Sequence, residues 1–248
     1  MSDIYKAPES QLAENSEAGD FGSLEKGIAG DYSFSIGEAI NEGWQLSKGK
    51  KRTVWFAIIL YIIAIAATSF VAGLLTGYPA FDLTGPASAS LSSTIIYNLI
   101  TGIVGVPLAV GMMMVGIKIA RKEETSGTEV FAHFDKIVPL CVTYIIMSIL
   151  VGIGFLLLVI PGIYLVIAYM LALPLVADQN LGPWKALEAS RKAITNNWFA
   201  FLGFFIVLIL IYLVGGLALL IGLIWALPLA SIAYGVAYRK VFGGPQGS

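Results

Sequence analysis

Side chains able to do acid–base, nucleophilic or metal chemistry are few in this 248-residue chain, and they avoid its apolar stretches. The one cysteine, Cys141, lies in an apolar run without the second cysteine that a disulfide or a C-x-x-C metal site needs, so it is expected to pack as a small buried hydrophobe. The one histidine, His133, stands in the polar stretch 121–136 without cysteine partners, too little for a zinc site. Ion-coupled transporters place ionisable residues inside the bundle, whereas here Lys118 and Asp178 lie at the ends of apolar stretches and none lies near a centre. Tyr97, Asn98 and Thr101 are expected to make hydrogen bonds between helices. No catalytic, cofactor-binding or metal-binding residue is assigned, no cofactor is expected, and the chain is expected not to be an enzyme. What remains is basic: Arg191, Lys192, Arg239 and Lys240 adjoin polar helices and span ends as a candidate rim for anionic lipid. Each Lys or Arg near the surface contributes about 1 kcal/mol toward an anionic membrane.

The elements that must position this rim are membrane helices. Hydrophobic residues make up 57% of the chain, charged residues 12%, and the mean hydropathy is +0.82. Soluble domains carry about 25% charged residues, so a soluble enzyme, a secreted disulfide scaffold and a nucleic-acid binder are excluded. A bilayer core needs roughly 20 apolar helical residues. Six stretches approach that length: 54–76, 95–117, 137–160, 163–177, 198–214 and 217–238. The fourth is the shortest, and Pro161-Gly162 is expected to turn the chain ahead of it. All 15 basic residues fall before, between or after these stretches on one side, which predicts an even number of spans with both termini cytoplasmic.

Three prolines mark a repeat. Pro107 and Pro228 each begin Pro-Leu-Ala, and Pro174 begins Pro-Leu-Val. The expected fold is an all-α integral membrane protein of six transmembrane helices in three repeated hairpins, each preceded by a cytoplasmic interfacial amphipathic helix. Each proline should free a carbonyl and bend its helix, leaving a neighbour to satisfy it. A stripe of Gly105, Ala109, Met112 and Gly116, matched by Ala226, Ala230, Ala233 and Ala237, predicts close helix packing. Ser35 to Glu38 and Ser126 to Glu129 fit capping boxes, and Gly182-Pro183 fits a helix start. Trp44, Trp55, Trp184 and Trp198 would anchor these segments at the headgroup level.

Residues 1–32 carry most of an acidic excess of seven charges and are expected to form a disordered cytoplasmic tail, followed by a membrane domain at 33–242 and a short tail at 243–248. Residues 161–198, with a Pro-Gly turn, Leu173-Pro174-Leu175 and the Gly182-Pro183-Trp184 start, resemble a family of uncharacterised bacterial inner-membrane proteins related to the membrane domain of glycerophosphoryl diester phosphodiesterases. The resemblance implies topology alone, since the phosphodiesterase catalytic domain is absent. The expected function is a non-enzymatic protein of the bacterial inner membrane that organises lipids or partner proteins in the envelope. The alternative is a transporter or channel for a neutral or lipidic substrate. Membrane lipids are the expected partners, with a homo-oligomer or another envelope protein as further candidates and no nucleic acid.

Overall fold

The computed structural model describes residues 21–79, 89–217 and 220–244, and residues 1–20 of the expected tail lie outside them. All regular structure among the described residues is helical: α1 (Leu24–Ala29), α2 (Ile36–Thr76), α3 (Leu91–Ala120), α4 (Ile137–Leu157), α5 (Val159–Ala168), α6 (Ala172–Gln179), α7 (Pro183–Asn196), α8 (Trp198–Leu217) and α9 (Leu223–Phe242). Two 3-10 turns, Gly127–Phe131 and Phe134–Lys136, join α3 to α4. Among the described residues, five segments are long and apolar enough to cross a membrane: Ile36–Thr76, Leu91–Ala120, Gly127–Leu157, Val159–Gln179 and Trp198–Leu217. The protein is therefore membrane-embedded. The helix α9 does not reach that apolarity, because it carries Arg239 and Lys240 in its last turn, yet it is enclosed from Ala226 to Phe242.

Only one of the three polar segments forms the separate amphipathic helix expected of it. In α7, Pro183 occupies the first turn, and Ala186, Leu187, Ala189, Ser190, Ala193 and Ile194 make one buried stripe. The polar segment before the first span is instead continuous with it. Ser35 caps α2 by accepting the Glu38 N–H, as expected, but the helix then runs unbroken for 41 residues, about 61 Å. Its first half packs on α9 from end to end: Glu38 pairs with Lys240, Glu42 with Arg239, Gly43 touches Ala233, and Trp55 reaches Ile224. The second segment also departs from expectation. Ser126 makes no cap bond, and the chain forms 3-10 turns because Gly127 and Val130 are pressed directly against α2 and α3.

The fourth stretch is broken. The chain turns at Leu158, which is extended, and Pro161-Gly162 lies inside the first turn of α5 rather than at the hairpin turn. A proline in a first turn loses no helical hydrogen bond, and Gly162 lets α5 lie against the Phe155 ring. Residues 169–171 then separate α5 from α6. Residues 21–32, expected in the disordered tail, also hold structure. Ser23 caps α1, Gly30 ends it at a positive φ, and Gly27 rests on Val241 and Phe242 where a Cβ would not fit.

The small-residue stripe packs as expected at its half nearer Arg239. A Cβ on Gly235 would lie 2.2 Å from the Gly116 carbonyl oxygen, so the α3 and α9 backbones touch. Gly105 has only the Ile65 methyl near it, at 3.7 Å, and Ala230 borders a cavity. Close approach therefore involves Gly116, Ala233 and Gly235, with Ala226 set against Gly215 of α8.

Candidate functional site

A proline inside a helix leaves the carbonyl four residues earlier without its usual donor. The carbonyls four residues before Pro107, Pro174 and Pro228 each receive a side-chain donor from elsewhere in the bundle. For Pro107 the carbonyl is that of Ile103, and the Cys141 thiol on α4 donates to it at 3.8 Å. For Pro174 it is that of Met170, which accepts the Tyr234 hydroxyl of α9 at 2.7 Å. For Pro228 it is that of Ile224, which accepts the indole N–H of Trp55 at 3.2 Å. Pro107 and Pro228 lie within α3 and α9, whereas Pro174 is the third residue of α6 and follows a break rather than bending a span. The break has a second support, since Ser190 donates to the Ala168 carbonyl that ends α5.

The charged residues at the helix ends form a second constellation. Arg121 reaches both carboxylate oxygens of Asp178, at 2.8 and 2.7 Å, with the two side chains 2% and 4% exposed. The same guanidinium donates to the Gly243 carbonyl, and the Tyr238 hydroxyl donates to Asp178 at 2.9 Å. Beside it, Arg239 holds both oxygens of Glu42 at 2.7 and 2.9 Å and donates to the Ala120 carbonyl. Lys136 donates to the Ala177 carbonyl. Nearly every hydrogen-bonding site is used, which is the condition under which a buried ion pair is tolerated.

This arrangement divides the expected basic rim. Arg239 is corrected out of it: its side chain is 2% exposed and committed to Glu42. Lys240, 9% exposed, pairs with Glu38. Arg191 and Lys192 do face outward from α7, the lysine 51% exposed, but they share Glu188 between them. The hydrogen bonds from Arg191 hold that carboxyl below its ordinary value, so at neutral pH the pair of basic residues presents about one net positive charge. Four further basic residues, Lys48, Lys50, Lys51 and Arg52, have no carboxylate partner within 4 Å among the described residues.

The four tryptophans also separate. Trp184 is exposed on α7, and Trp44 is exposed beside α8 and α9. Trp198 packs on Tyr164, with its indole N–H on the Tyr164 carbonyl at 3.4 Å. Trp55 is tied into the bundle through Ile224 and does not act as a free anchor. Lys51 lies 5.2 Å from the ring of Trp225, close to the start of α9. Donors and ion pairs such as Trp55, Tyr234, Arg121 and Asp178 were not assigned these roles from the sequence. The i−4 rule identifies each freed carbonyl, but nothing local names its donor.

No family model matches the chain, and no solved structure matches it. It is similar to an uncharacterized protein of Mycobacterium bovis, 25% identical over 226 residues, covering 85% of this chain and 70% of that protein. Uncharacterized proteins of two Mycobacterium tuberculosis strains match over the same length and coverage at 25% and 24% identity.

Proposed function

We propose that the chain is a non-enzymatic protein of a bacterial inner membrane that organises lipids, or partner proteins through them, at its headgroup-level surface. The observation that carries this reading is the division of charge. The arginines inside the bundle are consumed in structural pairs with Asp178 and Glu42, while Arg191 and Lys192 face outward shortly before the exposed Phe199, and the spans carry further exposed apolar side chains such as Leu74, Leu156 and Ile160. Lipid tails are suited to such a surface and anionic headgroups to its basic edge. The resemblance to the phosphodiesterase membrane domain adds topology to this proposal and no activity. Neutralising Arg191 and Lys192 to Gln tests it, because neither is part of a buried pair. The expected result is less phosphatidylglycerol and cardiolipin copurifying with the variant; wild-type retention would overturn the α7 rim.

A second reading has its own observation. A cavity of about 500 Å³ lies among α2, α3, α8 and α9, lined by Ile58, Tyr61, Met112, Leu208, Tyr212 and Tyr234. That volume falls within the roughly 300–1,000 Å³ of small-molecule sites, and its apolar lining favours a lipidic substrate for a transporter over a polar one. The topology that goes with the first proposal has both termini cytoplasmic, with either six spans or a hairpin of α8 and α9 that returns to the side it enters from.

A further inference from the structure

We propose that Arg52, with Thr125 and Ser126, forms a binding site for the phosphodiester of an anionic membrane phospholipid whose acyl chain follows α2. The inference rests on the lipid-organising reading and gives it a specific place.

A cavity of about 530 Å³ opens between α2 and the connector that follows α3, lined by Arg52, Thr53, Trp55, Phe56, Ile59, Thr125, Ser126 and Gly127. Its geometry is set by a backbone contact, because Gly127 lies against Phe56 and Ala57 where a Cβ would come within 2.5 Å of the Phe56 ring. This contact fixes the connector hydroxyls opposite the first turns of the span. The Thr125 hydroxyl is buried and has no hydrogen-bond partner, and a buried hydroxyl left unsatisfied is costly. Ser126 and Thr128 share one hydrogen bond between their hydroxyls, 2.6 Å apart, so one of the two protons is unused. Arg52 is exposed and faces no carboxylate among the described residues. A guanidinium with two parallel N–H donors and nearby hydroxyl donors matches the oxygens of a phosphodiester.

The order of chemistry along α2 identifies the rest of the ligand. Lys48, Arg52, Phe56, Ile59 and Ile63 are spaced i, i+4, i+8, i+11 and i+15, which is one face of a helix. All five are exposed, the three apolar ones by 49%, 48% and 59%. Two cations are thus followed by an apolar track leading into the span, the same sequence of polarity as a phospholipid from headgroup to chain. Lys48 adds a second positive charge, which favours an anionic lipid over a zwitterionic one.

The test is native mass spectrometry of the full chain titrated with dioctanoyl phosphatidylglycerol, with dioctanoylglycerol and inorganic phosphate as separate probes. Wild type is expected to hold one phosphatidylglycerol through more activation than the rest. Arg52→Gln should weaken that first binding about tenfold, Arg52→Lys should fall between, and Thr125→Val should weaken it about threefold, in line with the loss of a charged and a neutral hydrogen bond. The paired Arg191→Gln, Lys192→Gln variant should leave it unchanged. If Arg52→Gln binds as wild type while the Arg191, Lys192 variant loses lipid, the Arg52 site is overturned and the general reading stands. If wild type prefers phosphatidylglycerol no more than dioctanoylglycerol, both fail. Displacement of the lipid by equimolar inorganic phosphate would show a free-phosphate site and overturn the proposal.

Discussion

Tyr234 has the clearest energetic role of any single residue, because its hydroxyl donates to the Met170 carbonyl in the break between α5 and α6. Removing that hydroxyl strips a buried acceptor of its partner without changing the ring's shape. Tyr234→Phe is expected to destabilise by about 1–3 kcal/mol, read as a lower melting temperature in detergent. Tyr212→Phe, which lines the same cavity, should leave melting unchanged. A second residue-scale effect concerns the buried charges. Asp178→Ala leaves the buried Arg121 with only the longer contact to Glu123, at 3.7 Å, and should cost up to about 3–5 kcal/mol, whereas adding Arg121→Met should recover much of the loss. If the double variant melts as low as Asp178→Ala alone, the damage comes from the Tyr238 and Gly243 contacts rather than from the stranded charge.

Among the elements, α9 packs by backbone contact on α3 but borders open space at Ala230. The two neighbourhoods give opposite expectations for enlarging a side chain. Gly235→Ala must push α3 away, because the new Cβ would meet the Gly116 oxygen, and should cost about 1–3 kcal/mol. Ala230→Leu projects into the cavity of about 500 Å³ and should melt close to wild type. The apolar stretches and the i−4 consequence of Pro107 and Pro228 were legible in the sequence because both are local: hydropathy is a property of a window, and a missing N–H is a property of one residue. The partners were not. Asp178 and Arg121 stand 57 residues apart, and Trp55 and Ile224 stand 169 apart. Polarity around residues 36–53 suggested a helix lying in the interface, yet the same pattern serves equally well for a helix packed against α9, since both need one apolar stripe. Ser126 to Glu129 matched a capping box, but pressure from α2 and α3 on Gly127 and Val130 outweighed a bond worth about 1 kcal/mol.

The whole bundle poses a question of depth. An arrangement of six spans with both termini cytoplasmic puts Lys51 and Trp225 on opposite faces of the membrane, but Lys51 stands 5.2 Å from that ring. This contact favours a variant of the topology in which the α8 and α9 hairpin enters and leaves from the side of Lys51. Single cysteines at Gly222, Ser92 and Lys50, introduced into a Cys141→Ala background, separate the two. Six spans require Gly222 and Ser92 to label together from one side and Lys50 from the other. A returning hairpin requires Gly222 to label with Lys50. Both arrangements keep Arg239 and Gly22 at one end, where Gly22 donates to the Arg239 carbonyl.

The pairing of Glu42 with Arg239 also has a consequence for the nascent chain. The two residues are separated by 197 positions, so at about 5–20 residues per second of translation the carboxylate waits roughly 10–40 s for its partner. During that interval the first half of α2 has a membrane-ready helix attached to one end and no α9 to cover Gly43. Insertion of the early helices therefore precedes closure of the bundle, and a ribosome that stalls before α9 releases a product with an open polar seam. Such a seam would distinguish unfinished copies from finished ones for whatever machinery removes them.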